Sequence, residues 1–381
     1  MRIIPIASGK GGVGKSLLAA NLALVLARMG QRVVLADLDF GGSNLHLILG
    51  IRGVTTGLGT FINAGDVAFN DVIVDTEYEN LRFIPGDGEV PGIANLGSGQ
   101  KRKLLNRLKT VDADFLILDL GAGTSFNVMD FFLLSRRGII VTTPTPTALV
   151  NAYLCIKNAL FRLLTTSIKR GSEGDRRMKE LTHNPEHLQR VYLPDLVGQI
   201  EEVAPEAVAA FRTSAAEFRP RVVLNLLDDP KDVDKVTRLR RSCTQYLGLE
   251  IEHLGVMYRD ELQDVSLSAR LPIVLYKPNS VLSQAIMRIG EKVVELSAAD
   301  GDQGAWLDAE ESFADAYAEA ESDFEVRTDY VNELLHTGAL SQGDLLETVK
   351  SQQIEINQLR RENDLLKAKI VRAAHKGYDV R

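Results

Sequence analysis

The sequence predicts an α/β fold, a mostly parallel sheet with helices on both faces, and three observations predict it. Its apolar runs are continuous, not alternating, as in strands covered on both sides. Stretches with helical apolar spacing separate them, the alternation of strand–helix–strand units. A glycine-rich segment, GKGGVGKS at residues 9–16, joins the first run to the first helical stretch and fits the pattern GxxxxGK[ST].

The first run, residues 3–7 (IIPIA), reads as a strand, although Pro5 is awkward inside one. The helix after the loop spans 16–29, with its apolar stripe on Leu18, Leu22, Val25, Leu26 and Met29, and Gly30 is a natural left-handed stop. Further strands are expected at 33–38, 81–84, 115–118, 138–142, 221–226 and 251–257. Further helices are expected at 98–108, 148–164, 233–247 and 281–296. Charged, helical sequence over 165–220 replaces the few residues that usually join a helix to the next strand, and reads as a helical insertion within a domain spanning 1–298. Residues 299–344 are acidic, a linker or a solvated helix. Over 345–372 a 3,4 spacing of Leu345, Val349, Ile356, Leu359, Leu366 and Ile370, with Gln352 and Asn363 in the seam, marks a short coiled coil. A single amphipathic helix is the alternative. Residues 373–381 form a basic tail.

At 381 residues, 45% hydrophobic and 25% charged, the composition is that of a globular chain. No apolar run approaches the roughly 20 residues of a membrane helix, and the N-terminus enters a strand without a signal-peptide pattern, so a cytoplasmic location is expected. Cys155 and Cys243 lie far apart with no CxxC, which leaves a zinc site or disulfide framework unsupported and makes both buried small hydrophobes. The net charge of −7 argues against a basic footprint over the whole surface.

The loop carries a specific chemistry. Gly9, Gly11, Gly12 and Gly14 lack a Cβ, so backbone N–H groups around Lys10 and Val13 can turn inward on phosphate oxygens at the positive end of the helix. Lys15 would reach the β and γ phosphates, and Ser16 would ligate Mg²⁺. The expected ligand is a nucleoside triphosphate with magnesium, and the fold that of a P-loop NTPase with a helical insertion and a C-terminal coiled coil.

SGKGGVGKS at 8–16, ADLDFGGSNLHLILG at 36–50, ILDLGAGTS at 117–125 and VTTPTPTALVNAY at 141–153 resemble the deviant Walker ATPases of the ParA and MinD family, most of all its MinD and flagellar-number branch. Weaker matches are Asn225 after a strand and LGVMYRDEL at 254–262. The resemblance covers about 1–165 and 220–297. It implies ATP as the nucleotide and a face-to-face homodimer in which Lys10 crosses to the partner's nucleotide, as an arginine finger does. It implies that Asp39 positions water with Asp37 in support, that Asp119 holds Mg²⁺ through water, and that Gly121 and Gly123 free the second switch. It places Asn225 on the adenine edge and Asp260 near the base; both residue types also serve in ordinary turns.

Departures accompany it. Asn151 stands where the family usually has Asp, on a helix that contributes to partner surfaces. The loop begins where flagellar-number relatives carry an activating N-terminal extension, so that activity is not expected. The sequence after 296 is acidic where MinD-type proteins carry a basic membrane helix, and anionic lipid would repel it.

The function expected is an ATP-dependent dimerisation switch that positions cellular machinery, with slow, partner-activated hydrolysis. Protein partners would engage the 165–220 insertion, the coiled coil, or both. A membrane surface or cell pole is a further candidate that no basic amphipathic helix supports. A ParA-type DNA partition ATPase is the alternative, resting on Lys235, Arg238, Arg240 and Arg241, a run that is usually a solvated face. A carrier or reductase of the same fold would need interface cysteines in switch-like positions, and neither Cys155 nor Cys243 occupies one.

Overall fold

The structure, a computed structural model, describes residues 1–52, 56–63, 67–86, 96–182, 192–298, 308–336 and 350. Its eight strands form one sheet: β1 (Arg2–Ala7), β2 (Val33–Leu38), β3 (Val74–Asp75), β4 (Leu81–Ile84), β5 (Phe115–Leu120), β6 (Ile139–Thr142), β7 (Arg221–Leu227) and β8 (Glu252–Tyr258), in the order β3-β4-β2-β5-β1-β6-β7-β8. Every pairing is parallel except that of the two-residue β3 with β4. β2, β5, β6 and β8 are buried throughout, which is why their sequences run apolar without alternation.

Pro5 has a simple place in this pattern. The Arg2 amide donates to Asp114 at 2.8 Å, on the β5 side, so amides at odd positions of β1 face β6. Pairing with β6 begins only at Ile6, and the missing donor at Pro5 removes no ladder bond.

On one face lie α1 (Lys15–Arg28), α12 (Ile273–Tyr276) and α13 (Val281–Ala298), joined to the sheet through Ile6, Leu35, Ile117 and Val223. The other face carries α4 (Ser98–Leu108), α5 (Phe126–Phe132), α6 (Pro146–Ser167) and α10 (Val233–Leu247), packed on Leu116, Leu118, Ile140 and Leu224. Within residues 165–220 the chain forms α7 (Glu173–Thr182), α8 (Leu193–Glu201) and α9 (Pro205–Glu217), and α9 lies along α6. Short helices α2 (Leu45–Ile48), α3 (Leu58–Asn63) and α11 (Leu262–Ser268) fall in loops where sequence periodicity has too few turns to register. Both cysteines are buried, and burial pushes their thiols up to about 12.

The compact unit runs to Phe324, past residue 298 where the sequence places the end of the domain. The cause is α14 (Ala309–His336), whose first half covers the open edge of β8. The His253 amide, on the side of β8 away from β7, donates to Ser312 Oγ at 3.1 Å, and Tyr258 Oη donates to the Ala320 carbonyl at 2.8 Å. Arg288 and Lys292 of α13 pair with Asp323 and Glu319 at 2.5 Å each. Acidic residues that read as a solvated stretch are therefore partly docking groups. Replacing Tyr258 with phenylalanine should cost about 1 kcal/mol, or about 2–4 °C in unfolding temperature measured by calorimetry. From Glu325 on, the chain is a second unit, of which only 325–336 and 350 are described. The coiled-coil positions from Leu345 to Ile370 and the basic tail lie outside the described residues.

Candidate nucleotide site

β1 ends at Ala7, and residues 8–14 turn over the C-terminal ends of the central strands before α1 begins. Gly12 and Gly14 take φ of 77° and 89°, the left-handed region that a Cβ disfavours. No side chain caps α1 and its first turn holds no acidic residue, so the leading N–H groups and the positive end of the helix remain for an anion. Gly9 is pressed against the first turns of α6, where a Cβ would collide with the Asn151 carbonyl.

Asn225 grips the loop from β7. Its Nδ2 donates to the Val13 carbonyl at 2.9 Å, while its Oδ1 accepts from the Leu226 amide at 2.8 Å. The register of β7 with β8 breaks between Leu224 and Leu227, and Leu226 sits at φ 59°. This local bulge turns the Asn225 side chain inward, and the left-handed leucine is the strain that accompanies it. The amide is thus engaged with loop backbone. Asp260, half-buried, accepts from the Leu262 amide at 2.9 Å at the entrance to α11, a turn-forming bond.

Beneath the loop the acidic residues converge. Asp37 and Asp119 are paired across neighbouring strands β2 and β5 and both are buried. Lys15, 6% exposed, places its Nζ 2.5 Å from Asp119 Oδ1 and 3.9 Å from Asp39 Oδ2, and 3.4 Å from Ser16 Oγ. Asp37 accepts from Ser43 Oγ at 2.7 Å, from the Asp39 amide at 3.1 Å and from the Leu45 amide at 3.3 Å, so it pins the turn that carries Asp39. Burial, with the Asp119 charge added, pushes Asp37 up to about 7. Burial also raises Asp119, against the opposing pull of Lys15. The Gly123 amide donates to the Ser8 carbonyl at 3.0 Å, tying the segment after β5 to the phosphate loop. Lys10, by contrast, is exposed and makes no hydrogen bond or ion pair with the described residues.

Sequence reading found the carboxylates, the lysines and the loop. It missed Ser43, which holds Asp37, and Gly86, where a Cβ would come within 2.9 Å of the Asp37 carbonyl and 3.1 Å of Ser43 Oγ. It also missed Asp130 of α5, bound by Arg162 of α6 at 2.6 Å and by Lys101 of α4. A lone serine, glycine or aspartate carries no spacing signal; only the fold brings Ser43 and Gly86 against Asp37, while Asp130 ties α4, α5 and α6 together.

These groups fit a magnesium-bound triphosphate. One ammonium does not offset the burial of Asp37 and Asp119, and a divalent cation supplies positive charge that this set lacks. Among the described residues no cluster of three His, Cys, Asp or Glu side chains could hold a metal alone. Ser16, with Asp119 acting through water, and phosphate oxygens would complete an oxygen-ligand shell.

The family model for the CobQ/CobB/MinD/ParA nucleotide binding domain matches residues 4–354. The chain belongs to that family. Over 158 residues it is 34% identical to the flagellum site-determining protein YlxH of Helicobacter pylori, covering 41% of this chain and 53% of that protein. It is 32% identical over 197 residues to the septum site-determining protein MinD of Escherichia coli, covering 50% of this chain and 70% of MinD. The antiactivator FleN of Pseudomonas aeruginosa matches at 29% identity over 48% of this chain and 67% of FleN. The chain spans little more than half the length of YlxH, and of the septum site-determining protein MinD of Synechocystis, to which it is 36% identical over 152 residues. Among solved structures, MinD of Pyrococcus horikoshii with Mg-ADP shares the family fold with a TM-score of 0.53 at 23% identity, over 79% of this chain and 99% of that one. The ParA family ATPase of Chlorobium tepidum shares it with a TM-score of 0.52 at 20% identity, over 76% and 97%.

Proposed function

We propose that this family member is a magnesium-dependent ATPase whose ATP-bound homodimer acts as a switch that positions cellular machinery, such as flagella, the division apparatus or a polar complex. The observation that carries the reading is Lys10, exposed and without a partner among the described residues, on a loop whose second lysine, Lys15, is buried against Asp119. A cation with no partner among the described residues, on the face where phosphates would sit, suits a neighbour's cleft. Phe126 and Val150 are 55% and 58% exposed near the same loop, apolar area that face-to-face association would cover.

In this reading the α1 N-terminus, Gly9 to Ser16 and Lys15 bind the phosphates, while Ser16 and Asp119 hold Mg²⁺. Asp39 orients the attacking water and Asp37 fixes the turn beneath it. Lys10 of the partner protomer offsets charge developing on the transferred phosphoryl group. Asn225 keeps the loop closed, and Asp260 lies on the base side. Turnover is slow because the water-positioning and cationic groups meet only in the dimer, and a protein partner at the 165–220 insertion or the coiled-coil segment accelerates it. Recruitment to a membrane periphery or pole follows from that partner. The relatives named for flagellum and septum placement support this assignment.

DNA binding ranks lower. Lys235 pairs with Asp232 at 2.6 Å and Arg240 with Glu250 at 3.2 Å, so half of the basic run on α10 is already engaged. The deciding measurement is the solution mass of wild type, Lys10→Ala and Asp39→Ala in ADP and in ATP, on the full chain and on residues 1–336. Asp39→Ala should accumulate an ATP dimer and Lys10→Ala should stay monomeric; equal masses of the 1–336 forms in every state would sink the switch.

A further inference from the structure

Between Leu120 at the end of β5 and Met129 in α5 the chain has no fully buried side chain, although this is the stretch that leads away from Asp119. Residues 121–128 therefore lack the apolar anchorage that fixes the strands. Their backbone meets the phosphate loop through the Gly123 amide and the Ser8 carbonyl. Ser125 Oγ accepts from the Val128 amide at 3.4 Å, which caps α5 and binds it to no other element.

The stretch is held from its far side by polar bonds. Asp130 of α5 accepts from Arg162 of α6 twice, from Nε at 2.6 Å and from Nη2 at 3.0 Å, and pairs with Lys101 of α4. The Arg162 guanidinium also lies over the Phe126 ring, 5.1 Å from its centroid, and Lys101 donates to Asn127 Oδ1 at 3.2 Å. Arg162 thus grips α5 at two points one turn apart. The side chains of Asp130, Lys101 and Arg162 are 11%, 16% and 20% exposed, so water and salt weaken these bonds less than those of a surface pair.

The same helix bears on the phosphate loop. The Asn151 backbone, in the first turns of α6, lies where a Cβ on Gly9 would collide with it. From Asn151 to Arg162 is about 16 Å along the axis at 1.5 Å per residue. One continuous helix therefore touches the loop near its start and the segment after Asp119 farther along, and holds the two at a set separation.

We propose that Arg162 and Asp130 are positioning residues for ATP turnover, which act through α6 and α5 to fix the segment from Gly121 to Ser125 against the phosphate loop. Both lie outside the phosphate- and Mg²⁺-binding set. The proposal rests on the ATPase reading for what the position serves; the tie itself does not. The competing arrangement is plain packing, in which the bond joins three helices and the segment after β5 is indifferent to it.

Two readouts on the full chain separate these. Arg162→Met keeps the stem and loses the fork, and Asp130→Asn keeps the shape and loses the charge. In each, kcat should fall at least about tenfold while the KM for ATP and the affinity for ADP stay within about threefold, because a small misplacement beside the reacting group costs turnover and the loop still binds phosphate. The double variant should lose no more than the worse single one, since both changes remove the same bond. Arg162→Lys keeps the charge without the fork and should fall between. The second readout needs no nucleotide: the Gly123 amide should exchange its hydrogen at least about tenfold faster in Arg162→Met and in Asp130→Asn. Arg32→Met, which breaks ion pairs to Asp112 and Asp114 before β2, should match wild type in both.

Unchanged kcat and unchanged Gly123 exchange in the two single variants would overturn the proposal, as would losses that simply add in the double variant or that Arg32→Met shares. If the single variants do not fold, Arg162→Lys decides, and wild-type behaviour in it sinks the proposal. A wild type without ATP turnover would remove the ATPase reading instead; faster Gly123 exchange in the variants would then still support the tie, and unchanged exchange would overturn that too.

Discussion

Alanine at position 10 should lower ATP turnover by at least about a thousandfold while ATP affinity changes by only a few fold. The magnitude is that of a cation supplied in trans to a transferring phosphoryl group. The asymmetry follows from geometry. Lys10 is exposed and touches no partner among the described residues, so its removal disturbs neither the folded chain nor the Asp119–Lys15 pair. Gly9, pressed on Asn151, and the Ser8–Gly123 bond hold the loop in shape without it. Lys15→Ala should behave in the opposite way and abolish nucleotide binding, because it removes the charge that stands between Asp119 and Asp39. Steady-state turnover and equilibrium binding of ATP separate the two. A Lys10→Ala enzyme within tenfold of wild type would show that this residue is an ordinary loop lysine.

The second large effect concerns stability under acid. His253 is fully buried in β8, its ring edge-on to Phe313 at 5.2 Å, with neither ring nitrogen bonded. Burial, with the Lys292 charge behind it, pushes its pKa down to about 3 from an ordinary 6.5. The folded chain therefore keeps the ring neutral in a range where the unfolded chain binds a proton. Its contribution to stability is complete above the unfolded value and is lost progressively as pH falls from about 6.5 toward 3. Between pH 8 and pH 5 this single group should lower unfolding free energy by about 2 kcal/mol, at 1.36 kcal/mol per unit for one proton. The comparison that isolates it is His253→Leu, which should lack that part of the slope in denaturant titrations at the two pH values. Parallel slopes would mean that water reaches the ring.

Much of this was legible from residues alone, for identifiable reasons. The central strands announce themselves because two helix layers exclude water from both faces, and long helices such as α10 and α13 have enough turns to show a stripe. The phosphate loop is legible because its glycines answer a backbone requirement that side chains disfavour at Gly12 and Gly14. What the sequence withheld depends on long-range placement. The acidic stretch after residue 308 gives no hint that Asp323 and Glu319 meet Arg288 and Lys292. Asn225 looks like a residue at the end of a strand until a bulge turns it onto Val13. Pro5 looks like a fault until the ladder on that side proves to start one residue later.

The cover that α14 lays along β8 bears on how copies of this protein can meet. At the opposite flank the sheet ends in β3, two residues long and antiparallel, too short to template a neighbour. With one margin capped and the other clipped, neither edge of the sheet formed by the described residues offers a long row of free backbone groups for strand-by-strand growth. The surface at the strands' C-terminal tips, where the phosphate loop lies, is left as the face on which the proposed nucleotide-controlled pairing would act.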